Sequence, residues 1–253
     1  MPEAHKLQHR ITSGYIQIVS PLGNVPAFWA HPMYGGPFPG LVLLHDDWGL
    51  SAHTRALVHR FAEVGYYVIA PDLFEGNHPT TRAEASALEK HYLPSAPDKV
   101  DAALRALETH HKSNRKMAVL GWDMGGTLVF GIAATRPDVM AAVSFYGNPE
   151  PYFGQFNPSD SPILAIFGEH DEIRRQTENR LREELIRTAQ PHEVIVYPQV
   201  GHGFFNDSQM DTYNVEAAED AWRQTLAFLE THQGKPPAPS VTQTGSFRPG
   251  VVY

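Results

Sequence analysis

Cysteine is missing altogether from the 253 residues. That excludes disulfides, thiolate metal sites and a cysteine nucleophile. Positive charge is also scarce, with 20 Lys and Arg against 28 Asp and Glu and a formal net charge of −8. No Lys/Arg cluster can neutralise a phosphate backbone, so no nucleic-acid partner is expected. Long apolar runs are lacking too. Nothing approaches the roughly 18 residues of a membrane helix, and the opening "MPEAHKLQHR" has no core of signal-peptide length. The expectation is a soluble, cytoplasmic protein with a small-molecule substrate, no membrane partner, and a monomeric or small homo-oligomeric state. With 42% hydrophobic residues, the chain has ample material for a core.

What is present alternates between strand and helix patterns. "GYIQIVSPLGNVPAFWAHP" switches between apolar and polar residues around "PLGN", predicting a hairpin from about Gly14 to His31. "LVLL" (Leu41 to Leu44), "YYVIAPDLF", "KMAVLGW", "AAVSFYG", "PILAIFGE" and "HEVIVYP" read as buried strands. Between them lie helical patterns: one capped by Ser51 and ending at Gly65, one through Val100, Leu104 and Leu107, one from the Gly-Gly to Arg136, then "TENRLREELIRTA" and Val215 to His232. From Gly76 to Pro97, three prolines break the chain around one short helical piece. This alternation predicts an α/β architecture: a mainly parallel sheet of about eight strands with helices on both faces. Residues 1–233 read as one domain without a large cap, and 234–253 as an extended, loosely attached Pro/Gly-rich tail.

In such a sheet, ligands sit at the carboxyl ends of the strands. "VLGWDMGGTLVFG" has the outline of a nucleophile elbow, with Asp123 where Ser or Cys usually stands. Small residues at Gly121, Gly125 and Gly126 let strand and helix backbones approach, and the Met124 amide would face a developing oxyanion. Asp171 follows "PILAIFGEH", and His202 follows "VIVYPQVG". Nucleophile, acid, histidine is the chain order of the α/β-hydrolase triad. Each piece has a plainer reading: a tight strand–helix turn, a helix cap at Asp171, and a loop histidine among 14 in the chain. Their joint order at three successive strand ends favours a site.

"VLLHDDWGL", "YYVIAPDLF", "VLGWDMGG", "FGEHDEI" and "VGHGF" together resemble the dienelactone hydrolase family, from about Gly40 to about Phe228. The resemblance implies an α/β-hydrolase fold and hydrolysis of a small ester or lactone by a nucleophile–His–Asp triad, with no cofactor and no metal. Asp171 matches the triad acid and His202 the base. Asp123 matches the nucleophile, where the family has Cys or sometimes Ser. Asp46 matches the acidic residue, usually Glu, that poises the thiol, and Asp47 would supply the second oxyanion amide. The arginines that bind the substrate carboxylate have no equivalents in "LFEGN" or "HGFFN". Trp48, Trp122 and Tyr146 read as half-buried pocket walls, and Phe204 as a further substrate contact.

Asp123 leaves several functions open. Haloalkane dehalogenases and epoxide hydrolases use Asp at this elbow, because a carboxylate attacking a saturated carbon gives an alkyl-enzyme ester that water then cleaves. Against an ester, the same group gives an anhydride and is a poor nucleophile. Dehalogenases commonly place Trp directly after the Asp, whereas here Met124 follows. The remaining readings are a substituted, inert acyl-transfer site and a non-catalytic ligand-binding relative.

Overall fold

The computed structural model describes residues 8–239 apart from Leu22 and Ser159. Alternating exposure makes Ile11–Ser20 (β1) and Gly23–Pro32 (β2) an antiparallel hairpin, with Ser13, Tyr15, Gln17 and Val19 turned to solvent. The hairpin is longer at both ends than the alternation alone indicates. The strands that follow are Phe38–Leu44 (β3), Tyr67–Pro71 (β4), Ser113–Trp122 (β5), Ala141–Phe145 (β6), Ile163–Gly168 (β7) and His192–Tyr197 (β8). Residues of β3, β4, β6 and β7 are buried throughout, as continuous apolar runs require when both faces of a sheet are covered. Among the described residues, the sheet has eight strands in the order β1-β2-β4-β3-β5-β6-β7-β8. The β1–β2 and β2–β4 pairs are antiparallel and all the others parallel.

Among the described residues, six α-helices connect and cover these strands: Ala52–Glu63 (α1), Arg82–Tyr92 (α2), Ala96–Thr109 (α3), Met124–Thr135 (α4), Glu172–Thr188 (α5) and Val215–Gln233 (α6). Ser51 caps α1 by accepting from the Thr54 amide, as its position before the apolar pattern predicts. On one face α1 meets α6 through Phe61 and Trp222, ring centroids 4.5 Å apart. On the other, α3 and α4 are joined where Arg136, at the end of α4, pairs with Asp101 and Glu108.

Two stretches differ from the sequence expectation. The region from Gly76 to Pro97 holds a full helix, α2, started by a capping box between Thr81 and Glu84, and the beginning of α3. Pro97 does not break α3. It lies in the first turn, where its missing N–H has no intrahelical acceptor to lose. The start of the tail is tied down rather than loose. Gln233 Nε2 donates to the carbonyls of Gly40 (2.9 Å) and Lys116 (2.7 Å), Pro236 is buried, and His9 Nε2 lies 2.9 Å from the Pro237 carbonyl. Residues 240–253 of that tail lie outside the described residues. Among the described residues, no helix is long and apolar enough to cross a membrane.

Candidate active site

The chain leaves β5 at Trp122 and enters α4 at Met124, with a single residue for the turn. That residue, Asp123, has φ 57° and ψ −116°, a conformation that a side chain rarely adopts. The surrounding backbone enforces it. A Cβ on Gly121 would lie 2.4 Å from the Gly125 carbonyl carbon, and one on Gly125 would lie 2.5 Å from the carbonyl oxygens of both Leu44 and His45. Glycine is needed because α4 is pressed directly onto the ends of β3 and β5. The Asp123 amide donates to the Phe145 carbonyl (3.1 Å), and its side chain does not cap the helix, so the carboxylate is free to face a partner.

That partner is His202. Its Nε2 lies 3.2 Å from Asp123 Oδ1, and its Nδ1 lies 3.0 Å from Asp171 Oδ2. The acid and the histidine come from neighbouring loops locked together by backbone bonds: the Glu169 amide donates to Tyr197 and the His170 amide to Val200. Gly168 allows the approach, since a Cβ there would lie 2.5 Å from the Gly201 carbonyl oxygen. Asp171 is also the N-cap of α5, accepting the Ile173 amide on Oδ1 at 2.8 Å. The helix-cap reading and the triad reading of Asp171 are thus both satisfied, one by each oxygen.

Burial alone would lower the His202 pKa. The hydrogen bonds to Asp123 and Asp171, with their negative charges, override that and push it up to about 10, so His202 rests as an imidazolium. The Tyr146 ring sits 4.7 Å from the imidazole, from a backbone with φ 41° at the end of β6. Burial, followed by the charge on Asp123, raises its phenol well above the ordinary range.

Asp46 and Asp47 come from the loop after β3. Leu44 pairs with Gly121 in the β3–β5 ladder, and Asp46 and Asp123 each follow two residues later, which brings them to the same level of the sheet. Asp46 Oδ1 accepts the Trp48 amide (2.9 Å), while Oδ2 lies 3.4 Å from Asn206 Nδ2. Burial, and then the charge on Asp123, raises the Asp46 pKa, with the Trp48 amide opposing. Asp47 is pushed up to about 7 by the same two causes, although Arg82 lies 3.0 Å from its Oδ2. That arginine is 69% exposed, and solvent screens its charge. The loop is propped by His45. This fully buried ring lies 2.7 Å from the Asp46 carbonyl through Nδ1 and accepts the Leu73 amide on Nε2 (3.0 Å), a pattern that fits the neutral form and a pKa lowered by burial.

A cavity of about 340 Å³ begins at Asp46 and is walled by Trp48, Ser51, Arg82, Asn206, Ser208 and Gln209. Trp48 is the only one of the three expected pocket-wall aromatics to line it. Trp122 is buried rather than half-buried, stacked at 5.2 Å on Phe145 and packed against Phe205, because it is the last residue of a central strand. Tyr146 is likewise buried, and Phe204 has no exposed surface, packing between Tyr146 and Tyr197. Sequence reading did not single out Ser51, Arg82, Asn206, Ser208 or Gln209 as site residues. Asn206 alone carried a local signal, four residues past His202 in "HGFFN".

The geometry therefore joins Asp123, His202 and Asp171 into one cluster at the carboxyl end of a mostly parallel sheet, beside a polar cavity. Comparison with known proteins reaches the same architecture. The model of the family described as "Dienelactone hydrolase family" matches residues 25–233. "Protein usf" of Aquifex pyrophilus is 32% identical over 219 residues, covering 83% of this chain and 94% of that protein. The Escherichia coli (strain K12) protein named "Putative carboxymethylenebutenolidase" is 29% identical over 242 residues, 89% of either chain. The crystal structure described as "Putative Dienelactone Hydrolase" from Klebsiella pneumoniae superposes with a TM-score of 0.73 at 27% identity, covering 87% of this chain and 98% of that one. An elbow, an acid and a histidine in α/β-hydrolase order, on a sheet that family shares, thus have one common account: the chain belongs to the dienelactone hydrolase family and is a hydrolase of that type.

Proposed function

We propose that Asp123 is the nucleophile of this hydrolase and that it attacks a saturated carbon carrying a leaving group, a halide or an epoxide oxygen. The observation that carries this reading is the 3.2 Å contact between Asp123 Oδ1 and an imidazole already flanked by Asp171. A carboxylate is nucleophilic without losing a proton, so a protonated His202 does not prevent the first step, as it would for a thiol or hydroxyl. In that step an Asp123 oxygen bonds to carbon, and the carbon–leaving-group bond breaks with its electron pair on the leaving atom.

The alkyl ester so formed removes the negative charge of Asp123. With it goes the strongest support for the imidazolium, so His202 loses its proton to solvent and becomes a base. Neutral His202 takes a proton from water, whose oxygen attacks Cγ of Asp123. The tetrahedral oxygen faces the amides of Met124, at the start of α4, and of Asp47. Collapse releases the product as an alcohol, returns the remaining proton to His202 and restores the Asp123 carboxylate.

The test is a single turnover with enzyme in excess, in heavy-oxygen water, using a panel of haloacids, alkyl bromides and terminal epoxides. Mass spectrometry of the elbow peptide should show an alkyl adduct and then heavy oxygen in Asp123. Heavy oxygen appearing first in the product would mean direct attack by water and would refute a covalent role. A second reading rests on the same imidazolium: an acyl-transfer site for small esters or lactones that Asp123 holds inactive, because His202 is not available to accept a proton.

A further inference from the structure

Five polar groups of the site are not used by the triad chemistry: the side chains of Asp46, Asp47, Arg82 and Asn206, and the Trp48 amide. Asp46, Trp48, Arg82 and Asn206 line the cavity, and Asp47 pairs with the lining Arg82. The register of β3 and β5 sets Asp46 level with Asp123, and neither Asp123 nor His202 lines that cavity, whereas Asp46 does. Displacement at a saturated carbon is in line, so the leaving atom departs on the face opposite the attacking oxygen. His202 is bonded to the attacking carboxylate itself and so stands on the wrong side to meet the leaving atom.

We infer that Asp46 is the proton donor to the leaving oxygen, which makes epoxides the substrate class of this site and disfavours alkyl halides. The inference rests on Asp123 being the nucleophile. When the ring C–O bond breaks, its electron pair goes to the ring oxygen, that oxygen takes the proton of the Asp46 carboxyl, and Asp46 becomes a carboxylate. Hydrolysis of the Asp123 ester releases one proton overall, which returns Asp46 to its acid form. Epoxide plus water gives diol, and both carboxyl groups end as they began.

Three features suit Asp46 to this. It is 8% exposed, and no cation lies within ion-pair distance of it among the described residues, whereas Asp47 is paired with Arg82. The groups acting on its charge are Asp123, which favours the acid form, and His53 and Arg82, which oppose it, alongside burial. Its position is fixed by the Trp48 amide on one oxygen and by Asn206 beside the other, and Asn206 is itself held by the Ser208 amide (3.0 Å) and hydroxyl (2.6 Å). A departing halide takes no proton, so an Asp46 acid at the cavity wall gives it no such assistance.

The experiment compares rates of Asp123 alkylation by styrene oxide and by 1-bromobutane, read as adduct on the elbow peptide, in the parent and in Asp46→Asn. Parent alkylation by the epoxide, with the epoxide-to-bromide rate ratio falling about a hundredfold in the variant, is the expected result. Asp46→Glu, which keeps an acid, should recover part of that ratio. An unchanged ratio in Asp46→Asn, or an equal fall in Asp47→Asn, overturns the role of Asp46 while leaving the Asp123 nucleophile standing. Failure of both reagents to alkylate the parent overturns the nucleophile and the donor together. If Asp46→Asn does not fold, the parent decides by itself: its epoxide-to-bromide ratio should decline with rising pH as Asp46 ionises, and a flat ratio refutes the donor.

Discussion

Asp171 holds two partners at once, His202 Nδ1 on Oδ2 at 3.0 Å and the Ile173 amide on Oδ1 at 2.8 Å. The second bond places the carboxylate at the positive end of α5, where the helix dipole favours its charge. A group that orients the histidine is thereby anchored in the backbone of the fold, with only 1% of its side chain exposed.

Substituting Asp171 separates these two duties. Asp171→Asn keeps an oxygen for the Ile173 amide but offers His202 the wrong hydrogen-bonding pattern, and turnover should fall about ten-thousand-fold, with stability reduced only by the lost charge pair to His202. Asp171→Ala loses the cap as well, at a cost of about 1 kcal/mol. Steady-state kinetics beside urea unfolding distinguishes them. Equal stability losses would show that the Ile173 bond contributes nothing.

His202 should titrate near pH 10 in the folded protein, because burial is outweighed by the bonds to Asp123 and Asp171. Imidazole NMR shifts across pH 5–11 check this, and Asp123→Asn should move the transition down by removing one of the two charges. The sign for stability follows from a folded pKa raised above the unfolded 6.5. The stabilising contribution of His202 is fully present below about pH 6.5 and is lost as pH rises through about 10. A neutral His202 near pH 6 would contradict the ion pair.

Asp123→Cys tests the inert acyl-transfer reading. The variant has a thiol able to form a thioester, with His202 relieved of one flanking charge and the amides of Met124 and Asp47 available to an oxyanion. One such donor is typically worth about 3 kcal/mol, so p-nitrophenyl acetate turnover should rise at least about tenfold over the parent. A parent that is already the faster esterase would make Asp123 a working group in acyl transfer.

Gly121→Ala should destabilise the protein by about 3 kcal/mol and remove activity. The added Cβ would lie 2.4 Å from the Gly125 carbonyl group, which is backbone and has no side-chain freedom to yield. Thermal unfolding beside adduct formation at Asp123 measures both effects. Normal stability would mean that α4 can shift outward without cost.

Periodicity and local chemistry determined much of this protein. Continuous apolar runs such as Leu41 to Leu44 must be buried on both faces, and this predicts parallel strands under helices. The glycines around Asp123, and the order Asp123, Asp171, His202, marked the candidate triad without coordinates, because each residue follows a strand end directly or after a short loop. Side-chain surroundings were not legible in this way. Trp122 and Phe204 sit beside motif residues in sequence, yet their alternate partners turn them into the core. Trp48, Arg82 and Asn206 reach the cavity from three separate positions in the chain, and only folding brings them together. Even Pro97 and the start of the tail were settled by position. A proline is harmless in a first helical turn, and Pro236 is held because Gly65 leaves room for it, a Cβ there falling 2.8 Å from that proline. Local pattern specifies which backbone state a segment prefers. Which side chains share a charge, a cavity or a proton depends on contacts between residues far apart in the chain, and those are fixed only when the sheet assembles.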